Sequence, residues 1–115
     1  MREPGEMIRA YLNALERHNL TDIEHCFTSD ATVASKTYGR LPVRRFYQTL
    51  IAETLSTNVS NIRLYRGETS GEWIARFAYR WHKRDSAPTD IELIDLFTLD
   101  PGTGLIRELK VVANG

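Results

Sequence analysis

The sequence predicts a single α+β domain in which three N-terminal helices cover one face of a curved antiparallel sheet. Two observations carry that expectation. Apolar residues follow a helical spacing through the first half of the chain and alternate in the second half. The segments between the alternating runs are also short, which suits hairpins and leaves no room for parallel crossovers. With 115 residues, 42% hydrophobic and 26% charged, the chain has the size and balance of one globular unit, so residues 1–115 are read as one domain.

Ile8, Tyr11, Leu12 and Leu15 lie on one stripe of a helix over residues 4–18. Pro4 suits its first turn, where a missing N–H costs nothing. Thr21 and Glu24 have the spacing of a capping box, which predicts a short second helix reaching about Phe27. A brief strand around Val33 is expected over residues 31–34, and residues 38–42 read as loop. Val43, Phe46, Tyr47, Leu50, Ile51 and Leu55 then resume the helical period as a third helix. Strands are predicted over residues 59–66, 72–82, 91–99 and 105–112, separated by turn formers at 67–71, 85–90 and 100–104. In the second of these, alternation puts Trp73, Ala75, Phe77, Tyr79 and Trp81 on one face and Arg76, Arg80 and His82 on the other.

Lysine plus arginine equals aspartate plus glutamate at 15 each, so no net positive field draws nucleic acid or an anionic membrane. Arg40, Arg44 and Arg45 accordingly read as a solvated face. Cys26 has no partner for a disulfide and reads as a small buried hydrophobe. His18 and His25 lack the ligand spacing of a metal site. There is no phosphate-binding glycine loop, dinucleotide fingerprint or nucleophile elbow, and no cofactor is expected. Residues 1–7 carry no apolar signal core and nothing approaches transmembrane length, so a cytoplasmic location is the expectation.

Asp95 breaks the pattern. In the strand over residues 91–99, alternation places it in one row with Ile91, Leu93, Phe97 and Leu99. If that row is buried, the carboxylate loses its hydration and the neutral acid is favoured. A neutral acid in a dry pocket can donate a hydrogen bond to an oxygen that gains negative charge. An arginine partner or a bulge turning Asp95 to water is the structural alternative. Tyr11, on the apolar stripe of the first helix, likewise directs a hydroxyl inward, where such a group finds a hydrogen-bond partner.

Four strings, Tyr11-Leu12-Asn13-Ala14-Leu15-Glu16, Asp30-Ala31-Thr32-Val33, Arg45-Phe46-Tyr47 and Ile94-Asp95-Leu96-Phe97, taken with the order of elements, resemble the nuclear-transport-factor-2-like superfamily. Within it the chain resembles the branch of ketosteroid isomerases and SnoaL-type polyketide cyclases. The resemblance spans Ile8 to Val112 and implies a cone-shaped, cystatin-like shell around an apolar pocket, with homodimers formed through the outer sheet face. It also implies an oxyanion hole made by a first-helix tyrosine and a protonated late-strand aspartate, at positions matched by Tyr11 and Asp95, with Tyr47 in support. The isomerases' proton-shuttling aspartate after the Thr32-Val33 position is missing, since the chain reads Ala34-Ser35-Lys36. Serine is too weak a base to replace it. The arginine that limonene epoxide hydrolases place two residues before the strand aspartate is Leu93 here.

The expected ligand is a small apolar molecule, steroid- or polyketide-like, held by Tyr11, Asp95 and Tyr47 among Val33, Ser35, Phe46, Phe77, Trp81 and Phe97. The expected chemistry is isomerase- or cyclase-like on a carbonyl-containing substrate. The alternative is a noncatalytic homodimeric protein-interaction module, suggested by the missing base and by Ile74, Ala78, Ile94 and Leu96 on the outer strand face.

Overall fold

A computed structural model describes residues 2–114. Its elements run α1 (Pro4–Glu16), α2 (Leu20–His25), β1 (Phe27–Ser35), β2 (Gly39–Pro42), α3 (Val43–Glu53), β3 (Thr54–Arg66), β4 (Glu72–Lys83), β5 (Thr89–Leu99) and β6 (Ile106–Asn114). The six strands form one sheet in the order β2-β1-β6-β5-β4-β3. The α+β class, the three helices and the four long strands match the expectation from the sequence.

Several boundaries move for identifiable reasons. The segment expected as loop over residues 38–42 contains β2, which pairs antiparallel with β1 through Val33 opposite Leu41 and Ala34 opposite Arg40. The strand around Val33 is correspondingly longer and starts at Phe27. α2 is capped two residues earlier than expected: the Asn19 side chain accepts from the Asp22 N–H at 3.0 Å. Glu24, read as the return arm of a capping box, instead meets Arg44 of α3 at 2.6 Å. Leu55 is not on α3. The helix stops at Glu53, Thr54 turns extended, and Leu55 stands 49% exposed on β3. One strand pair also departs from the antiparallel rule, because β1 lies parallel to β6. β2, α3 and β3 to β5 lie between β1 and β6 in the chain, ample length for such a crossover.

Alternation decides what faces inward. Ala75, Phe77 and Tyr79 of β4 and Leu93, Asp95, Phe97 and Leu99 of β5 are buried, whereas Arg76, Arg80 and Leu96 are exposed. β3 slips register between Thr54 and Ser56 and again between Ser60 and Arg63, and Asn61 near the second slip has φ 54°. Bulges of this kind bend a strand and increase its twist, so the sheet curls toward the helices. Met7, Ile8, Tyr11, Leu12 and Leu15 of α1, together with Phe46 and Tyr47 of α3, fill the concave side.

The end of α1 is a Schellman motif. Asn19 N–H donates to the Ala14 carbonyl and His18 N–H to the Leu15 carbonyl. His18 therefore takes the left-handed position, at φ 55°, where glycine would be unstrained and a side chain costs about 1–2 kcal/mol.

Gly71 holds the turn between β3 and β4 against β5. Its φ is +91°, its carbonyl accepts from the Leu99 N–H at 2.8 Å, and an added Cβ would sit 2.8 Å from the Leu99 carbonyl oxygen. Both the dihedral and the contact involve backbone, which cannot step aside. Gly71→Ala is expected to lower stability by about 2 kcal/mol or more, read as a shift in the urea midpoint at unchanged slope.

Candidate functional site

Between the curled sheet, α1 and α3 lies a pocket of about 130 Å³, bordered by Tyr11, Phe46, Tyr47, Phe77, Tyr79, Trp81 and Asp95. An apolar cavity of about 150 Å³ holds a benzene ring, so the enclosed space suits one six-membered ring. Anything longer must extend through the mouth beside Ser35, Lys36 and Tyr38.

Tyr11 reaches the pocket because it lies on the buried stripe of α1, one turn after Ile8. Its hydroxyl shares a hydrogen bond with the Tyr47 hydroxyl, and both side chains are fully buried. The rings are locked edge to face: Tyr11 meets Phe27 at 5.5 Å, Phe97 at 5.8 Å and Tyr47 at 6.0 Å between centroids. Such packing leaves the two hydroxyls little rotational freedom. Burial, then the Tyr47 hydroxyl and the Asp95 carboxyl nearby, push the Tyr11 phenol well above its ordinary range. Burial likewise raises Tyr47. Both phenols stay protonated at neutral pH and are hydrogen-bond donors.

Asp95 is paired across the sheet with Ala75 on one side and Val111 on the other, and neither neighbour can answer a carboxyl group. It is 1% exposed, and its Oδ1 has no hydrogen-bond partner among the described residues. Desolvation pushes its acid well above the usual carboxylate range. No described cation stands against it, since the arginines of β4 pair with Glu92 and Asp90 on the outer face. Nor do the described residues contain a cluster of three His, Cys, Asp or Glu able to hold a metal ion.

The structure therefore brings Tyr11, Tyr47, Asp95, Ser35, Phe46, Phe77 and Trp81 to one cavity. Val33 and Phe97 do not border it. Both are buried in the core, with Phe97 one layer behind, against the Tyr11 ring. Sequence reasoning did not single out Tyr79 or Tyr38 as site residues. Tyr79 was legible as an inward residue of β4, and only its hydroxyl's surroundings mark it as more than core. Tyr38 sits in the tight β1–β2 connection, where no periodicity speaks. Its hydroxyl donates to Glu53 at the end of α3, its ring packs on Phe46 at 5.3 Å, and burial pushes its phenol upward.

No family model and no curated protein sequence matches the chain. Solved structures do. A protein from Catenulispora acidiphila with a ketosteroid isomerase-like fold, in complex with trimethylamine, superposes with TM-score 0.81 at 15% identity, over 93% of this chain and 84% of that one. SalBIII, an epoxide hydrolase/cyclase-like enzyme with a role in pyran ring formation in the polyether salinomycin, does so with TM-score 0.78 at 17% identity, over 96% and 90%. A nuclear-transport-factor-2-like protein of unknown function from Exiguobacterium reaches TM-score 0.80 at 14% identity, over 94% and 98%. The chain has the nuclear-transport-factor-2-like fold. Identities this low establish shared architecture, and activity has to be argued from the site.

A buried acid with a raised pKa makes stability fall as pH rises. Below the unfolded-state value both states bind the proton. Above it the unfolded chain releases the proton while folded Asp95 keeps it, at about 1.4 kcal/mol per pH unit, until pH passes the folded value. Asp95→Asn removes this loss. The variant should therefore gain on the wild type steadily from about pH 4 upward, seen in urea denaturation at pH 4.5, 6 and 7.5. Parallel pH curves for the two proteins would show that Asp95 is ionised or solvated in the folded state.

Proposed function

We propose that the pocket binds a small apolar molecule through a carbonyl or phenol oxygen, with Tyr11 and Asp95 as hydrogen-bond donors and Tyr47 holding Tyr11 in place. The observation that carries this reading is the unpartnered Asp95 oxygen, fully buried in an aromatic cavity beside two phenols. A buried polar group left without a partner costs about 1–3 kcal/mol, and a ligand oxygen is the partner the geometry leaves room for. Donors fixed in a dry site stabilise an oxygen most when it carries charge. The chemistry they favour is enolisation, so isomerase- or cyclase-like turnover of a carbonyl compound is the reaction class. A cyclase-like activity in SalBIII, on the same fold, supports the class without fixing the substrate. The cavity volume narrows the ligand to a ring-sized head with any larger steroid- or polyketide-like body outside the mouth.

4-Nitrophenol tests this reading, since it is a single ring whose absorbance reports its protonation state. Saturable binding is expected, weakened about tenfold in Tyr11→Phe and in Asp95→Leu, which corresponds to about 1.4 kcal/mol for each lost donor. Absence of binding to the folded protein would sink the proposal.

A second reading rests on the convex face. Tyr65 of β3, Ile74 of β4 and Leu96 of β5 stand side by side in register. Tyr65 and Leu96 are 45% and 38% exposed. The ion pairs Arg76–Glu92 and Arg80–Asp90 run alongside. An apolar row flanked by both signs of charge suits a second copy of the same face. Homodimerisation is compatible with the pocket reading and would stand alone if the pocket proved inert. Sedimentation equilibrium should show a dimer that Leu96→Glu converts to monomer. A wild-type chain that stays monomeric at high concentration would remove this reading.

A further inference from the structure

The pocket changes character along its length. Tyr11, Tyr47 and Asp95 supply fully buried polar groups at its inner end. Phe46, Leu50, Phe77, Ile91 and Leu93 supply apolar wall. The connection between β1 and β2 borders the mouth with Ser35, Lys36, Thr37 and Tyr38, of which Lys36 and Thr37 are exposed. A ring-sized head fills the enclosed volume, so the mouth decides what the rest of a ligand must be.

Two of the chain's three lysines stand at this end. Lys36 borders the cavity itself, on a connection that is pinned in place. Ser35 Oγ accepts the Tyr38 N–H at 3.0 Å, and the Tyr38 hydroxyl donates to Glu53 of α3. Lys83 ends β4 on the inward row that runs through Phe77, Tyr79 and Trp81. Its Nζ lies 5.1 Å from the centre of the Trp81 ring. That ring borders the cavity and is fixed by its indole N–H, which donates to Thr54 Oγ1 at 2.9 Å. Attraction between a cation and an indole face holds the Lys83 ammonium against the pocket wall. Neither lysine pairs with a carboxylate among the described residues, where every ion pair belongs to an arginine. Glu53 is engaged by Tyr38, and among the described residues Asp95 is the only carboxyl bordering the cavity.

We propose that the ligand carries a negatively charged tail, which Lys36 and Lys83 take at the mouth while Tyr11 and Asp95 hold the oxygen of its head. This rests on the carbonyl- or phenol-binding reading of the pocket. The ligand class is then an acidic amphiphile: a ring-sized ketone or phenol, a short apolar linker and an ionised acid. A steroid- or polyketide-like body qualifies when it ends in such a group. Lysine suits the task, because its compact charge on a flexible stem follows an end group that stays partly in water. The two lysines select what enters, and the buried donors act on the head.

The test compares 3-(4-hydroxyphenyl)propanoate and 5-(4-hydroxyphenyl)pentanoate, each with its methyl ester, by isothermal titration calorimetry. At about pH 7 the phenol is neutral and the carboxylate ionised, so acid and ester differ chiefly in the charge of the tail. The better-fitting acid should bind about fivefold tighter than its ester, the scale of exposed ion pairs, and the advantage should shrink as salt is added. Lys36→Gln and Lys83→Gln should each lower that ratio about twofold, and the double variant should abolish it. Lys36→Arg, which keeps the charge, should preserve it. Lys110→Gln removes the same charge from the exposed outer side of β6 and should leave the ratio intact, which separates a local effect from net charge. The ratio is taken within each protein, so a change in affinity for the head cancels. Acid and ester binding equally at both chain lengths, or a preference that survives the double variant, overturns the charged tail and leaves the pocket reading standing. So does 4-nitrophenol binding without binding of any tailed phenol. No binding of any probe overturns both.

Discussion

Keeping an acid dry is the constraint around which the fold is arranged. Asp95 occupies the middle of an inward row on a central strand, where its strand neighbours are Ala75 and Val111. An ionised carboxylate there would demand a cation or several donors, and the described residues supply none. The group is tolerated because burial favours its protonated form and because the surrounding walls are apolar and aromatic. Those walls depend in turn on curvature: with β3 straight, α1 and α3 could not close over the row, and water would reach the carboxyl. The bulges of β3 and the acid of β5 are thus parts of a single arrangement.

Tyr11 and Tyr47 follow from the same arrangement. They come from helices far apart in sequence, and their shared hydrogen bond joins α1 to α3 across the cavity. Each hydroxyl in the pair satisfies the other and retains capacity for one more partner. Asp95 has capacity of its own and no protein group to fill it. On the proposed reading, groups held this firmly need little further ordering when a ligand binds.

The sequence made the architecture legible wherever periodicity operated. The stripe of α1, the alternation of β4 and the odd acid of β5 all appear in the residue order, and each faces as expected. What failed was decided by contacts between distant segments. β2 is only four residues long, too short for alternation to register, and it exists because Leu41 and Arg40 find β1. Asn19 caps α2, while Glu24 meets Arg44, a residue on another helix. Leu55 continues the helical spacing of α3 but is claimed by β3 pairing. At the site, inward direction could be read for Tyr11, Phe77 and Asp95, whereas depth could not. Val33 and Phe97 point inward and lie behind the cavity wall, a distinction of a few ångströms that alternation does not encode.

The parallel pairing of β1 with β6 has a consequence for folding. β6 lies between β1 and β5, so the β1–β2 hairpin has no strand to join until β6 is in place, although α1 can already meet β3 through Glu16 and the Val59 N–H. Closure pairs segments separated by most of the chain, the kind of contact that makes folding slow. The cavity, whose wall includes Val111 and Ala113 of β6, is thus completed only when β6 joins the sheet, a late event in folding.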